Sequence, residues 1–255
     1  MDRETVLQLN AINRAFYRSA ATGFSASRSR PWPGFERVAR RMAAQADAGA
    51  TPRFLDVGCG NGRFADALQD ELDVPFLYTG VEASPFLVEE AKRRQGGRAG
   101  FRFLAHDFVV GSLSAVLGAA RFTGIALLGA LHHVPGAATR RRLLAELAQQ
   151  LEPEGVLAFS IWRFAHFERF RRRVVPWEAW LTQGGAQLDL ARLEPGDVLL
   201  PFGAGQTHLR YCHALDEDEA RALLASLPLE LLDSFESDGE SGDLNRYLLL
   251  QRPRG

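Results

Sequence analysis

The chain has 255 residues, 46% of them hydrophobic, and a formal net charge of −1 at pH 7. That length supports one α/β domain with a buried core and some decoration, and the near-zero charge excludes a molecule built throughout as a polycation. Two cysteines, Cys59 and Cys212, exclude a disulfide framework and offer no metal-type spacing, so no metal is expected.

The chain opens on MDRETVLQLN, charged early and without an apolar run of the signal-peptide kind. The expected location is therefore the cytoplasm. Val6, Leu9, Ile12 and Phe16 recur near helical spacing over residues 1–20, with Asn13 as a polar break. Pro33 opens a second helix over 34–48 that ends at Gly49. RFLDV (53–57) is a short apolar run before a glycine cluster, the pattern of a buried strand. GRFADALQDEL (62–72) reads as an amphipathic helix and FLYTGVE (76–82) as a second strand. Ser84 as N-cap and Pro85 in the first turn start a helix that runs to Arg94.

FRFLA (101–105) and FTGIALLGAL (122–131) are the third and fourth strands. The apolar stretch near 122–134 contains two histidines and is too short to span a bilayer. A helix from Gly136 to Leu151 precedes Pro153, and GVLAFSIW (155–162) is a fifth strand. A helical insert over 164–183, a Gly/Pro-rich loop over 184–206, a helix over 216–226 and strands over 229–237 and 245–252 complete the chain. Strands alternating with helices over a hundred residues imply a parallel, doubly wound α/β sheet. No repeat or low-complexity linker divides it, so one domain is expected. The stretch 163–173, RFAHFERFRRR, carries five arginines against one glutamate. It is either a solvated face or a contact for a phosphate-rich partner.

The glycine cluster carries the first chemistry. Gly58, Gly60 and Gly62 alternate after strand one, so loop backbone can approach a ligand closely at a helix N-terminus. A dinucleotide site wants G-x-G-x-x-G; this loop reads G-x-G-x-G behind Asp56. It suits the amino-acid end of a ligand, with Asp56 facing an ammonium and backbone N–H groups facing a carboxylate. Glu82 closes strand two, where an acid can take both hydroxyls of a ribose. Asp107 follows strand three, within reach of a purine amino group.

Taken in order, Asp56-Val57-Gly58-Cys59-Gly60-Asn61-Gly62, Glu82-Ala83-Ser84-Pro85, His106-Asp107 and Leu131-His132-His133-Val134 resemble the motifs of class I S-adenosylmethionine-dependent methyltransferases. The resemblance covers residues 50–165. It implies a Rossmann-like seven-stranded sheet, parallel with one antiparallel edge-region strand, under an N-terminal helical lid. It implies a methyltransferase with S-adenosylmethionine as cofactor and S-adenosylhomocysteine as product. The implied cofactor residues are Asp56, Gly58, Cys59, Gly60, Asn61, Gly62, Glu82, Ala83, His106, Asp107, Leu128 and His132. His132 is a cofactor-side wall in this reading, with a catalytic base as its alternative. One departure is Phe122-Thr123-Gly124, where the family commonly has Phe-Asp. The expected layout is a lid over 1–48, a cofactor-binding core over 49–163, an insert with an acceptor-side loop over 164–213, and a C-terminal helix and strands over 214–255.

The segment from Phe24 to Pro33, FSASRSRPWP, resembles the F-S-x-T-R-x-x-P-W-P element of the tRNA wobble-uridine carboxymethyl methyltransferases. Ile161-Trp162, Asp197-Val198-Leu199-Leu200-Pro201-Phe202 and Leu209-Arg210-Tyr211-Cys212-His213 resemble further elements of that group. Ser27, Phe202 and Cys212 depart from it, and its long lysine-rich insert is shortened here to an arginine-rich stretch. The group esterifies a carboxylate, which is already ionised at pH 7 and needs no general base. It needs a cationic clamp and a dry, aligned site. The implied catalytic candidates are Arg28, Arg210 and His213. Tyr17, Arg28, Trp32, His133, Arg163, Arg210 and Tyr211 are candidates for binding the acceptor. Two prolines hold Trp32 on a stiff ledge, as a wall of the acceptor site or as a plug that staples the fold. The acceptor stays open between tRNA and a small, carboxylate-bearing metabolite methylated on O or N. A third reading is a non-catalytic cofactor-binding protein. The resemblance permits a small activator subunit; neither a membrane nor a metal is expected.

Overall fold

The computed structural model describes residues 1–27, 30–45, 50–182, 184, 187–203 and 208–254. In chain order the first elements are α1 (Arg3–Ala26), α2 (Pro33–Ala43), β1 (Arg53–Val57), α3 (Arg63–Glu71), β2 (Leu77–Glu82), α4 (Pro85–Gln95) and β3 (Phe101–Ala105). Then come α5 (Ser114–Leu117), β4 (Phe122–Leu127), α6 (Ala137–Gln149), β5 (Leu151–Trp162), α7 (Glu168–Arg171) and α8 (Trp177–Thr182). The chain closes with β6 (Asp197–Phe202), β7 (His208–His213), α9 (Glu217–Ala225), β8 (Glu230–Ser237) and β9 (Asn245–Gln251).

Seven strands form one sheet in the order β3-β2-β1-β4-β5-β9-β8. The first five are parallel, and β9 runs antiparallel to both β5 and β8. Strand alternation splits the core into two layers. Leu55 and Val57 of β1 join Ile125, Leu127, Leu157 and Phe159, with Leu143, Leu144 and Leu147 of α6, on one face. Phe54, Tyr78, Ala126 and Ala158 point the other way, onto Phe35, Val38 and Met42 of α2 and Phe64 and Leu68 of α3. The result is the three-layer, Rossmann-like arrangement that the alternating sequence pattern implies. Strand order reverses between β1 and β4, which opens a crevice at the carboxyl ends of those strands.

Local signals set the helix starts. Asp2 caps α1 by accepting from Thr5 N at 2.9 Å, and Ser84 caps α4 ahead of Pro85. The long α1 lies against the carboxyl ends of the strands. Leu9 packs with Tyr211, and Asn10 Nδ2 donates to Asp107 Oδ2 at 2.8 Å. Near its other end, Asn61 Nδ2 donates to Ser25 Oγ at 3.1 Å.

The sequence pattern predicts an insert and loop over 164–206, and the fold differs there. Residues 168–171 and 177–182 form two short helices, and β6 and β7 form an antiparallel hairpin registered Asp197↔His213 to Phe202↔His208. Leu200 and Cys212 pack with Phe164 on one side of the hairpin, and Tyr211 packs with Leu9 on the other. Both faces are thus buried by elements distant in sequence, and Pro201 is accommodated on a two-stranded ribbon whose outer β6 edge is bridged at Leu199 by Val175. Among the described residues no helix is long and apolar enough to cross a membrane.

Candidate functional site

A cavity of about 870 Å³ lies in the crevice between the carboxyl ends of the strands, α1 and the β6–β7 hairpin. That is near the upper end of the range for a single ligand pocket, roughly 300–1,000 Å³. One wall is the glycine loop and the end of β2. Asp56, Gly58, Cys59, Gly60, Asn61, Glu82 and Ala83 line it, with Leu128 and His132 from the segment after β4. Gly58 and Gly60 sit at φ 71° and 54°, a left-handed backbone that favours glycine. A Cβ on Gly58 would stand 2.7 Å from Ala130 Cβ, while one on Gly60 would meet nothing within 4 Å. The loop is therefore bare on its ligand side.

Two acids are held dry in this wall. Asp56 is 3% exposed and accepts from Tyr78 Oη at 2.6 Å. Burial pushes its carboxyl up to about 7, against the Tyr78 hydrogen bond, and nearby Glu82 adds to the rise. Glu82 accepts from Gly60 N at 3.1 Å and Ser84 N at 2.9 Å. Burial raises it too, although those backbone donors oppose the rise. A carboxylate buried without a counter-charge is stabilised by an arriving cation, and one anchored by backbone N–H groups is pre-oriented for hydroxyls. The set fits an amino acid joined to a nucleoside: an ammonium at Asp56, a ribose at Glu82 and close backbone at Gly60.

The opposite wall is aromatic and cationic. Tyr17, Trp32, His133, Trp162, Phe202 and Arg210 line it. The Arg210 guanidinium lies 5.0, 5.6 and 5.7 Å from the ring centres of Trp162, Phe202 and Phe16. It is 8% exposed, its Nε is buried without a partner, and among the described residues no carboxylate pairs with it. His133 Nδ1 lies 2.8 Å from the Tyr211 carbonyl. A carbonyl only accepts, so the ring proton sits on Nδ1.

Several expected site residues lie elsewhere, each for a physical reason. Strand alternation in β7 turns Arg210 into the cavity and sends Tyr211 and His213 to the other side. Tyr211 Oη donates to Asp197 Oδ1 at 2.7 Å. His213 is clamped between Asp197 Oδ1 and Glu219 Oε2, both at 2.7 Å. Burial works against its charge, but these two carboxylates outweigh it and raise its pKa. Neither residue lines the cavity. Arg163 is turned to the β8–β9 connection, where it meets Glu236 Oε2 at 2.6 Å and donates to the Asp243 carbonyl at 3.0 Å. Gly62 is taken up as the left-handed N-cap of α3, with its carbonyl accepting from Gln95 Nε2 at 2.9 Å. His106 packs beside Gly111. Asp107 is covered by α1, accepting from Asn10 and, at 3.2 Å, from Val109 N; its neighbours Phe108 and Val109 reach the cavity instead. Arg28 lies outside the described residues.

The sequence reasoning missed Asn10, Asn13, Arg14 and Arg18, all of which line the cavity. With Tyr17 they form a polar stripe at helical spacing on α1, the signal that could have found them. It also missed Arg63, and it singled out Arg173 only as part of the arginine-rich stretch 163–173; both line the cavity. Arg63 stacks 4.8 Å from the Trp32 ring, and burial lowers its guanidinium to about 10.

Residues 55–157 match the family described as "Methyltransferase domain". The tRNA (carboxymethyluridine(34)-5-O)-methyltransferase ALKBH8 of Mus musculus is 29% identical over 147 residues, 57% of this chain and 19% of that protein. The probable tRNA methyltransferase 9B of Homo sapiens is 29% identical over 165 residues, 63% of this chain and 32% of that protein. The chain thus spans about a fifth of the first of these relatives and about a third of the second. Among solved structures, a SAM-dependent methyltransferase of Methanosarcina mazei superposes with a TM-score of 0.61 at 17% identity, covering 89% of this chain and 100% of that one. Over residues 55–157 the chain thus matches a methyltransferase domain, and it has the Rossmann-like fold of the class I S-adenosylmethionine-dependent methyltransferases.

Proposed function

We propose that the chain methylates a carboxylate oxygen of a small acid that lies between Arg210 and the glycine loop. The observation that carries this reading is Arg210. A buried guanidinium without an anion is costly unless a ligand supplies one. Its planar fork matches a carboxylate, and its aromatic surround suits a flat acid.

The division of labour follows from the walls. Asp56 takes the ammonium of the cofactor, Glu82 its ribose hydroxyls, and the loop from Gly58 to Asn61 packs along its amino-acid end. Ala83, Leu128 and His132 form the rest of that wall. When bound, S-adenosylmethionine supplies an electrophilic sulfonium methyl and leaves as S-adenosylhomocysteine. Arg210 fixes the acceptor carboxylate and aligns one oxygen for in-line displacement. Tyr17, Trp32 and His133 wall the acceptor, and α1 excludes water from it. No general base is required, because the nucleophile is ionised at pH 7. In this reading residues 1–48 act as the lid, 49–163 as the cofactor-binding core, 164–213 as the acceptor side and 214–255 as the sheet's closing edge.

A second reading takes the 5-carboxymethyl group of a wobble uridine in tRNA as the acceptor. The names of the two relatives and the FSASRSRPWP segment support it. The arginine cluster gives it less support. Arg163 pairs with Glu236, Arg172 pairs with Glu168, and Arg171 donates to the carbonyls of Ala165 and His166. A small activator subunit belongs to this second reading only.

Incubation with S-adenosylmethionine labelled in the methyl group, against separate pools of tRNA and small carboxylic acids, tests the proposal. Label in the acid pool is expected. Label confined to tRNA overturns the first reading in favour of the second.

A further inference from the structure

We propose that the acceptor carries a second oxyanion, held by Arg173. The proposal rests on the carboxylate reading above and specifies its substrate as a dianion.

The run from Arg169 to Arg173 divides by partner. Arg169 lies 5.4 and 5.1 Å from the rings of Phe167 and Phe170. Arg171 is engaged with two carbonyls and Arg172 with Glu168. Of the arginines in this run, Arg173 alone lines the cavity. Its Nε is buried without a hydrogen-bond partner, and among the described residues no carboxylate pairs with it. A half-buried guanidinium of this kind is completed by an anion from outside the chain.

The charge balance of the cavity points the same way. Among the described residues that line it, the only acids are Asp56 and Glu82, both on the glycine-loop wall. The acceptor half has arginines and no acid. Arg173 and Arg210 line the same cavity as Phe170 and Trp162; the ring of Phe170 meets Trp162 edge-on at 5.1 Å, and Arg210 lies 5.0 Å from Trp162. Two guanidiniums lining one aromatic cavity fit a flat acid with an oxyanion at each end. The deeper one, Arg210, takes the carboxylate that is methylated. Arg173 takes the other, whether carboxylate or phosphate, and sets specificity without touching the reacting atoms.

The test uses the full chain saturated with S-adenosylhomocysteine and calorimetric titration of defined probes. The probes are benzoate, the three benzenedicarboxylates, glutarate, adipate and the carboxyphenyl phosphates. At least one dianion is expected to bind tenfold or more tighter than benzoate. The dicarboxylate and phosphate arms identify the second group. In Arg173→Gln the gain falls to within threefold of benzoate, and Arg173→Lys, which keeps the charge, retains part of it. Arg210→Gln weakens every probe. Circular dichroism and melting of each variant establish that it is folded. If no dianion gains tenfold, or if Arg173→Gln keeps the gain, the second-anion site is wrong and the carboxylate reading is untouched. If Arg210→Gln binds benzoate as the wild type does, the carboxylate reading is wrong whatever Arg173 does.

Discussion

Asp56 should make the cofactor-free protein less stable as pH rises, and Asp56→Asn should remove that dependence. Its carboxyl titrates near 7 in the fold, because burial raises it from an ordinary 3.8. An acid bound more tightly to its proton in the folded state loses that proton first in the unfolded state. Between about 4 and about 7 the folded state therefore holds the extra proton, and stability falls as pH rises until the penalty is complete. At about 1.4 kcal/mol per pKa unit, the rise from 3.8 to about 7 amounts to about 4 kcal/mol. Asparagine keeps an acceptor for the Tyr78 hydroxyl and carries no charge. The assay is urea unfolding of both proteins at pH 4.5, 6 and 8 without cofactor. The variant should gain on the wild type by about 3 kcal/mol between the lowest and highest pH, since part of the penalty is already present at pH 4.5. A gap that does not change with pH refutes the reasoning. The same argument predicts that S-adenosylhomocysteine, which carries the ammonium, binds the wild type more tightly as pH rises toward 7, and binds Asp56→Asn weakly with no such trend.

Arg210→Gln should lower kcat/KM by about 10- to 200-fold, the loss of a charge-assisted hydrogen bond worth about 1.5–3 kcal/mol, with S-adenosylhomocysteine affinity within about threefold by calorimetry. Trp32→Ala should reduce turnover about tenfold or more while cofactor affinity stays within a few-fold; a collapse of affinity would put the ring on the cofactor side instead. Arg140 is 0% exposed and pairs with Glu194 and Glu219, so Arg140→Leu should destabilise by about 3–5 kcal/mol in urea unfolding. His213 has a raised pKa in the fold. Its ionic contribution is complete below the ordinary 6.5 and is lost as pH rises through the higher folded value. His213→Gln should therefore destabilise more at pH 6 than at pH 9, read from melting temperatures at the two values.

The part of the fold legible in the sequence is the part written locally. RFLDV before Gly58, Ser84-Pro85 before α4 and the apolar runs of β4 and β5 each carry their own signal, so the five parallel strands and the helices α3, α4 and α6 follow from reading along the chain, while the single turn of α5 does not. The β6–β7 hairpin does not. Gly184, Gly196, Pro201 and Gly203 punctuate that region as a loop would, and only packing against Leu9 and Phe164 makes it a hairpin. The glycine-loop wall of the cavity is legible because the glycine spacing and the acids at strand ends are positional signals. Gly62 and Asp107 escaped because a helix cap and the covering α1 claim them. On the acceptor side, the choice of Arg210 over Tyr211 and His213 depends on which face of β7 the fold buries. The choice of Arg173 over Arg171 or Arg172 depends on how α7 and the turn after it pack through Phe170 and Val174 with Trp162 and Phe164. Neither choice can be read from local sequence.

The most direct test of carboxylate methylation is the stability of the product. Acids labelled from S-adenosylmethionine carrying a labelled methyl group are treated with mild base, and volatile label is measured for the wild type and for Arg210→Gln. A methyl ester formed at Arg210 predicts label released as methanol from the wild-type product and little product from the variant. Label that survives base, or equal labelling by the two proteins, contradicts it.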